Sequence, residues 1–354
     1  MTRAVTAFLL ALPLLAGCAS PAYYGQAIKG HLAIMSSREN IQELLERGDL
    51  DAKLQSDLEL AMEIRAFASE RLGLPRNNSY SEFVRTGRSA VTWNVIATKE
   101  FTLQPERWCF LVAGCVPYRG YFARAGAEEF ADSLRKRSLD VIVSPAIAYS
   151  TLGWFDDPLL DTMLQYREEQ LAGFIFHELA HQQMYVKHDT LFNESYAGFI
   201  EEAGVTAWLR DTGRDDALAR WGAEAQAIDL FDELLQATRK RLRDEFNSGH
   251  SIDVMRENKK TIYTGMKVQY ERLVRDKWNG ARYFDSWFDR EMNNARLALA
   301  ESYHGGLCAF KNLYEQAGRD IVQFQQMAAE KASLGRNQRT AWLSQPCDAS
   351  VADR

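Results

Sequence analysis

An α+β fold, mainly helical, with a small sheet ahead of a two-helix core, follows from three features of the chain. From Asp157 onward, apolar residues recur at the three-and-four spacing of helices and strand-like runs become scarce. Before that point the period drops to two, with Val91, Trp93, Val95 and Ala97 alternating through VTWNVIA. At 354 residues, with 46% hydrophobic and 25% charged positions, the chain can bury a sizeable core in one or two domains.

The elements follow in order. Tyr23 to Leu74 reads as a helical scaffold, with Leu54, Leu58, Ala61 and Met62 on one buried face and Pro75 ending the run. Cys109 to Tyr121 and Leu139 to Val143 are strand-like. Between them, Ala127 to Arg137 forms a short amphipathic helix whose acidic start and basic end suit the helix dipole. Asp157-Pro158 opens the helical part, because Asp caps a helix and Pro fits its first turn. Helices are then expected over 158–167, 169–186, 193–209, 215–246, 252–277 and 291–316. The segment 331–354 is polar, contains Pro346 and ends on charges, so it is expected to be a loose tail. The organisation expected is a leader at 1–17 and one domain over 18–354, divided into 18–156, 157–330 and the tail 331–354.

The chain begins Met-Thr-Arg, followed by an apolar run from Ala4 to Ala16 and then Leu15-Ala16-Gly17-Cys18. That run is shorter than the ~20 residues of a spanning helix and Pro13 interrupts it, so it reads as a cleaved signal peptide. The small residues before Cys18 resemble the bacterial lipobox. The resemblance implies that Cys18 becomes the acylated N-terminus and anchors the chain to a membrane. With Ala19 in place of Asp, the same resemblance favours the periplasmic face of the outer membrane. A plain signal peptide cut elsewhere is the other reading. The remaining Cys109, Cys115, Cys308 and Cys347 are an even set suited to an oxidising compartment. Cys109 and Cys115 are the closer pair, with Ala113-Gly114 as a turn between them, and Cys308 with Cys347 follows by elimination. A net charge of -6 offers a phosphate backbone little counterion-releasing surface, which argues against nucleic acid as a partner.

The chemistry is carried by FIFHELAHQQ. On a helix, His177 and His181 stack on one face about 5–6 Å apart, so both imidazoles reach one zinc ion. Glu178 lies to the side and can take a proton from an activated water. Leu179, Ala180 and the preceding Phe174, Ile175 and Phe176 are uncharged, as a helix buried against a core requires. In the next helical stretch, Phe192-Asn193-Glu194-Ser195, Asn193 is a fitting N-cap and Glu194 a fitting third ligand. Three protein ligands leave a fourth position open, as catalytic zinc requires. Glu201 and Glu202, further along that helix, are rival ligands. Glu201, seven residues past Glu194, can instead partner a ligand imidazole, as can Asp189. Tyr303 is the expected oxyanion donor and His304 its runner-up, while His188 reads as a surface histidine. The stretch YSTLGWFDDP, from Tyr149 to Pro158, is either a cleft wall or ordinary packing.

HELAHQ followed by FNESYA resembles HELAHQ followed by LNEGFA in the aminopeptidase N-like gluzincins, whose glutamate in the second motif binds zinc; the interval here is shorter. More fully, the chain is identified as a member of the bacterial family called putative aminopeptidase. The residues that carry this are Tyr23-Tyr24-Gly25-Gln26-Ala27, the run from Trp108 to Phe122, the run from Tyr149 to Pro158, and the zinc region. The resemblance implies a gluzincin-type fold, a zinc cofactor and peptide substrates. Aminopeptidase N-like enzymes hold the substrate amine with a GxMEN motif, and no such motif occurs; Gly126-Ala127-Glu128-Glu129 is not a match. The expectation is therefore a zinc peptidase of the cell envelope, an aminopeptidase by its family's name. An endopeptidase of the same mechanism is one alternative. A non-catalytic lipoprotein that binds peptide or cell-wall fragments around a structural zinc is the other.

Overall fold

The structure, a computed structural model, describes residues 21–110, 114–148, 156–289, 292–298 and 306–348. Cys18 and its leader, Tyr303 with His304, and most of YSTLGWFDDP lie outside the described residues.

The N-terminal scaffold is three helices, α1 (Pro21–Ser36), α2 (Ile41–Arg47) and α3 (Ala52–Glu70), with the two-residue strand β1 (Glu39–Asn40) after the first. The predicted continuous run is broken for local reasons: Asn40 and Asp51 each accept a bond from a backbone N–H in the first turn that follows, and Gly48 ends α2 in the left-handed region at φ 69°.

Short strands then build three small sheets. β2 (Glu82–Val84) lies between β1, antiparallel, and β8 (Leu159–Leu160), parallel. β3 (Thr92–Lys99) lies between β6 (Arg119–Tyr121) and β7 (Leu139–Ala146), both antiparallel, with Val95 opposite Val143 and Ala97 opposite Val141. Helix α4 (Arg124–Arg135) covers one face of that sheet, packing Ala127, Ala131 and Leu134 on Val95, Ala97, Val141 and Val143. β4 (Trp108–Phe110) and β5 (Gly114–Val116) form a hairpin in which Cys109 sits opposite Cys115 and is disulfide-bonded to it. The helix expected over 158–167 is instead β8 and a 3-10 turn at Met163–Gln165, because Leu159 and Leu160 are taken up by pairing with Phe83 and Val84.

The helical part follows as α5 (Glu168–Gln183), α6 (Thr190–Asp211), α7 (Asp215–Phe246), α8 (Ile252–Asp276), α9 (Leu307–Gln316), α10 (Ile321–Ala332) and α11 (Arg336–Leu343). Of the helix expected over 291–316, the described residues are helical at 294–298 and again in α9. α6 is central: Phe192, Tyr196, Ile200, Val205 and Trp208 are fully buried and join Phe176 of α5 and Phe310 and Phe324 of α9 and α10 in the main core. The long α7 and α8 pair through a second core of Phe231, Leu235, Met266 and Tyr270. No helix of the described residues is long and apolar enough to cross a membrane.

The expected loose tail is not loose through residue 348. Its polarity concealed α11, whose Arg339 and Leu343 are buried, and Cys347 is disulfide-bonded to Cys308 at the start of α9. That bond spans a separation of 39 residues, which in the chain-entropy model is worth about 4 kcal/mol, against about 2 kcal/mol for the tight Cys109–Cys115 ring. Replacing Cys308 and Cys347 together by Ala should lower unfolding stability in urea by about 4 kcal/mol. An unchanged denaturation curve would show that α11 folds independently of the bond.

Candidate metal centre

α5 begins with Glu168 and Glu169 at its positive end and carries His181 in its last turn, an arrangement the helix dipole favours. The four-residue interval brings the His177 and His181 rings to 4.8 Å between centroids, and their Nε2 atoms to 3.2 Å. At this distance one ring N–H can donate to the other ring's nitrogen, or the two nitrogens can share a metal ion.

α6 supplies the third donor. Its cap is Asp189, not the predicted Asn193: Asp189 accepts from the Phe192 N–H, while the Asn193 side chain bonds both the N–H and the carbonyl of Val186 at 2.7 and 2.9 Å. Asn193 thus clamps the turn between the two helices. Glu194 Oε2 then stands 3.4 Å from His177 Nε2 and 3.8 Å from His181 Nε2. Donors about 2.0–2.1 Å from a tetrahedral zinc lie about 3.3–3.4 Å from one another. The triangle of 3.2, 3.4 and 3.8 Å therefore fits zinc with little adjustment.

Around this triangle the predicted partners divide. Glu201 Oε2 lies 2.9 Å from His177 Nδ1, as a group orienting a ligand imidazole must. Gly173 makes room for it, since a Cβ there would come within 3.0 Å of Glu201 Oε1. Glu202, the rival ligand, turns away to Lys311 at 2.9 Å. Asp189 is not a partner to a ligand: one oxygen caps α6 and the other accepts from Arg339 Nε at 2.6 Å. His181 Nδ1 is buried with no hydrogen-bond partner among the described residues. His188 is exposed, as expected. Glu178 is half-buried, and no hydrogen bond engages its carboxylate among the described residues.

Two features escaped the sequence. Tyr118, between β5 and β6, is 40% exposed as a residue. Desolvation, then the charges of Glu194 and Glu178, push its phenol up to about 12, so it lies within electrostatic range of both carboxylates. Nothing local marks that tyrosine, because its relation to the site arises only when the hairpin folds across. The second is a cleft of about 140 Å³ between α6 and α7 that opens on His177 and Glu194. Its α7 wall was legible in principle, as Trp221, Ala225 and Ile228 share one helix face.

A family model described as putative aminopeptidase matches residues 22–343, from the start of α1 to the end of α11. No curated protein and no solved structure matches the chain.

Electrostatics make the metal-free site a proton store. Burial disfavours a charged His177, but Glu194 and Glu201 override it and raise its pKa well above the usual imidazole range. Burial likewise disfavours an ionised Glu194, and the two histidines override that, holding its carboxyl at about 2. A metal can bind only the neutral imidazole, so it must displace the His177 proton. Zinc uptake at pH 7 should accordingly release about one proton per metal, read by calorimetry in buffers of different ionisation enthalpy. Uptake with no proton release would show that His177 is already neutral.

Proposed function

The chain belongs to the putative aminopeptidase family, and from that premise we propose that it is a zinc-dependent peptidase of the cell envelope. The observation that supports this best is the convergence of His177, His181 and Glu194 on one point, with Glu178 next in sequence to a ligand and left unbonded.

When bound, zinc supplies a Lewis acid and brings the pKa of a water toward about 7. The chain's own residues do the rest. Glu178 accepts the proton of the attacking water and passes it to the leaving amine. Glu201 fixes the His177 ring through Nδ1, leaving Nε2 for the metal. A phenol is the natural donor to the developing oxyanion. Tyr303 is the sequence candidate for that role, and Tyr118 is a described tyrosine that feels the charges of both Glu194 and Glu178. A purely structural zinc has no use for an unbonded Glu178, which weighs against the non-catalytic alternative. Preference for a free N-terminus rests on the family's name alone, since GxMEN is missing.

One experiment tests these points together: wild type and Glu178→Gln, each assayed for zinc content and for cleavage of a peptide series with free and acetylated N-termini. The variant should keep its zinc and lose roughly 10²–10⁴-fold in turnover. Acetylation should abolish cleavage by the wild type. Loss of zinc in the variant would make Glu178 a ligand instead of a base. Equal cleavage of both series at internal bonds would make the protein an endopeptidase, and a zinc-loaded wild type that cleaves neither would favour the non-catalytic reading.

The envelope location is proposed from Leu15-Ala16-Gly17-Cys18. Protein extracted from membranes should show, by intact mass, a chain beginning at Cys18 with acyl chains attached. A mature chain that begins elsewhere and carries no lipid would remove the anchor.

A further inference from the structure

We infer that the cleft between α6 and α7 is the subsite for a side chain flanking the scissile bond, and that it selects a bulky side chain with an apolar stem and no negative charge. The inference rests on the peptidase reading and adds a substrate class to it.

Continuity with the metal centre comes first. His177 and Glu194 line the cleft, so a side chain lodged in it lies beside two of the proposed metal ligands. From α7, Trp221, Ala225 and Ile228 at the 4- and 3-residue steps of one face give the cleft an apolar stripe beside Glu224 and Asp229, and Leu307 at the start of α9 lines it as well. A dry cavity of about 150 Å³ holds a benzene ring, so a cleft of about 140 Å³ suits a side chain of the size of Leu, Met or Phe.

Gly198 is what keeps the space open. It stands one turn beyond Glu194 on α6 and lines the cleft, and a Cβ built there would meet nothing within 4 Å. Helix interiors disfavour glycine by about 1 kcal/mol relative to alanine. Here no close packing demands it, in contrast to Gly204 on the same helix, where a Cβ would come within 2.7 Å of Leu72. The empty volume in front of Gly198 is therefore the feature itself.

The charges set the second half of the selection. Several acids line the cleft, and most are engaged: Glu202 with Lys311, Glu224 with Arg167, and Glu201 with His177. Asp229, exposed at the rim, has no ion-pair partner among the described residues. A carboxylate side chain entering here loses water and gains only like charge, whereas a lysine or arginine can lay its stem on Trp221 and Ile228 and bring its head to Asp229.

The test uses the full mature chain and peptides varied to Ala, Leu, Arg or Glu on each side of the cleaved bond in turn. Cleavage is followed with the zinc-loaded wild type, and binding of the same peptides is measured by calorimetry with Glu178→Gln. On one side of the bond, Leu and Arg should exceed Ala by at least about tenfold in kcat/KM, with Glu below Ala. Gly198→Leu, which fills the cleft, should cut the Leu-to-Ala ratio about tenfold or more while helical circular dichroism and zinc content hold. Asp229→Lys, at an exposed position, should lower Arg relative to Leu and raise Glu. Cleavage with equal rates for Ala, Leu and Arg on both sides, or a Gly198→Leu that lowers all four peptides alike, would overturn the subsite. Ordered binding by Glu178→Gln beside a wild type that cleaves nothing would uphold the subsite and sink the peptidase reading.

Discussion

The metal centre depends on how closely α5 and α6 approach each other, and glycines set that approach. At Gly204 a Cβ would stand 2.7 Å from Leu72 and 2.9 Å from the Phe176 ring, so the bare position lets α6 lie against α5 and the turn that follows α3. At Gly173 the same holds on the other helix, where the missing side chain admits Glu201. Both contacts sit within about a turn of a donor or its partner. A bulkier residue at Gly204 would push against Leu72 and the Phe176 ring, and one at Gly173 would displace the Glu201 carboxylate from His177. The geometry of the candidate site is thus set by two absent side chains as well as by the three donors.

Segments far apart in the chain hold this helix pair in place from behind. Arg65 is buried and donates to the carbonyls of Ser79, Pro75 and Asn77, which fixes the loop after α3. That loop then meets the end of α5: Asn77 donates to Gln182 at 2.6 Å, and Gln182 donates to Ser79 and Asp157. On α6, Arg339 grips Asp189 at the cap, and Gly306 lets the start of α9 close on Ser195, the residue after Glu194. Buried polar groups of this kind are costly if left unpaired, so the network penalises any shift of the two helix ends.

What the sequence discloses here is what short range determines. The two histidines and Glu178 are legible because the four-residue spacing of one helix fixes their relation, and Glu194 and Glu201 because they share a face of the next. Asn193 reads as the cap because it opens a helical stretch, yet Asp189 caps and Asn193 is taken up by Val186. Asp157-Pro158 carries a local helix signal, yet Leu159 and Leu160 gain more by extending the sheet edge offered by Phe83 and Val84. The end of the chain read as a tail because α11 buries only Leu343 and Arg339, too little apolar surface to register as a pattern. Asp189 was taken as a partner for a ligand because nothing near it in sequence announces Arg339. In each case the missing information was a contact made from elsewhere in the chain.

The same geometry ties the stability of the site to pH. Glu194 has its folded pKa lowered to about 2. Its contribution to stability is therefore present above the unfolded carboxyl value of about 4.3 and is lost as pH falls from there through about 2. His177 has a raised folded pKa, so its contribution is complete below the ordinary value of about 6.5 and is lost as pH rises through the raised one. Both contributions coexist in mild acid, where a protonated His177 is held between Glu194 and Glu201. As pH rises that proton leaves, and the balance moves to an external divalent ion. A proton and a metal ion thus compete for one position, and rising pH favours the metal ion.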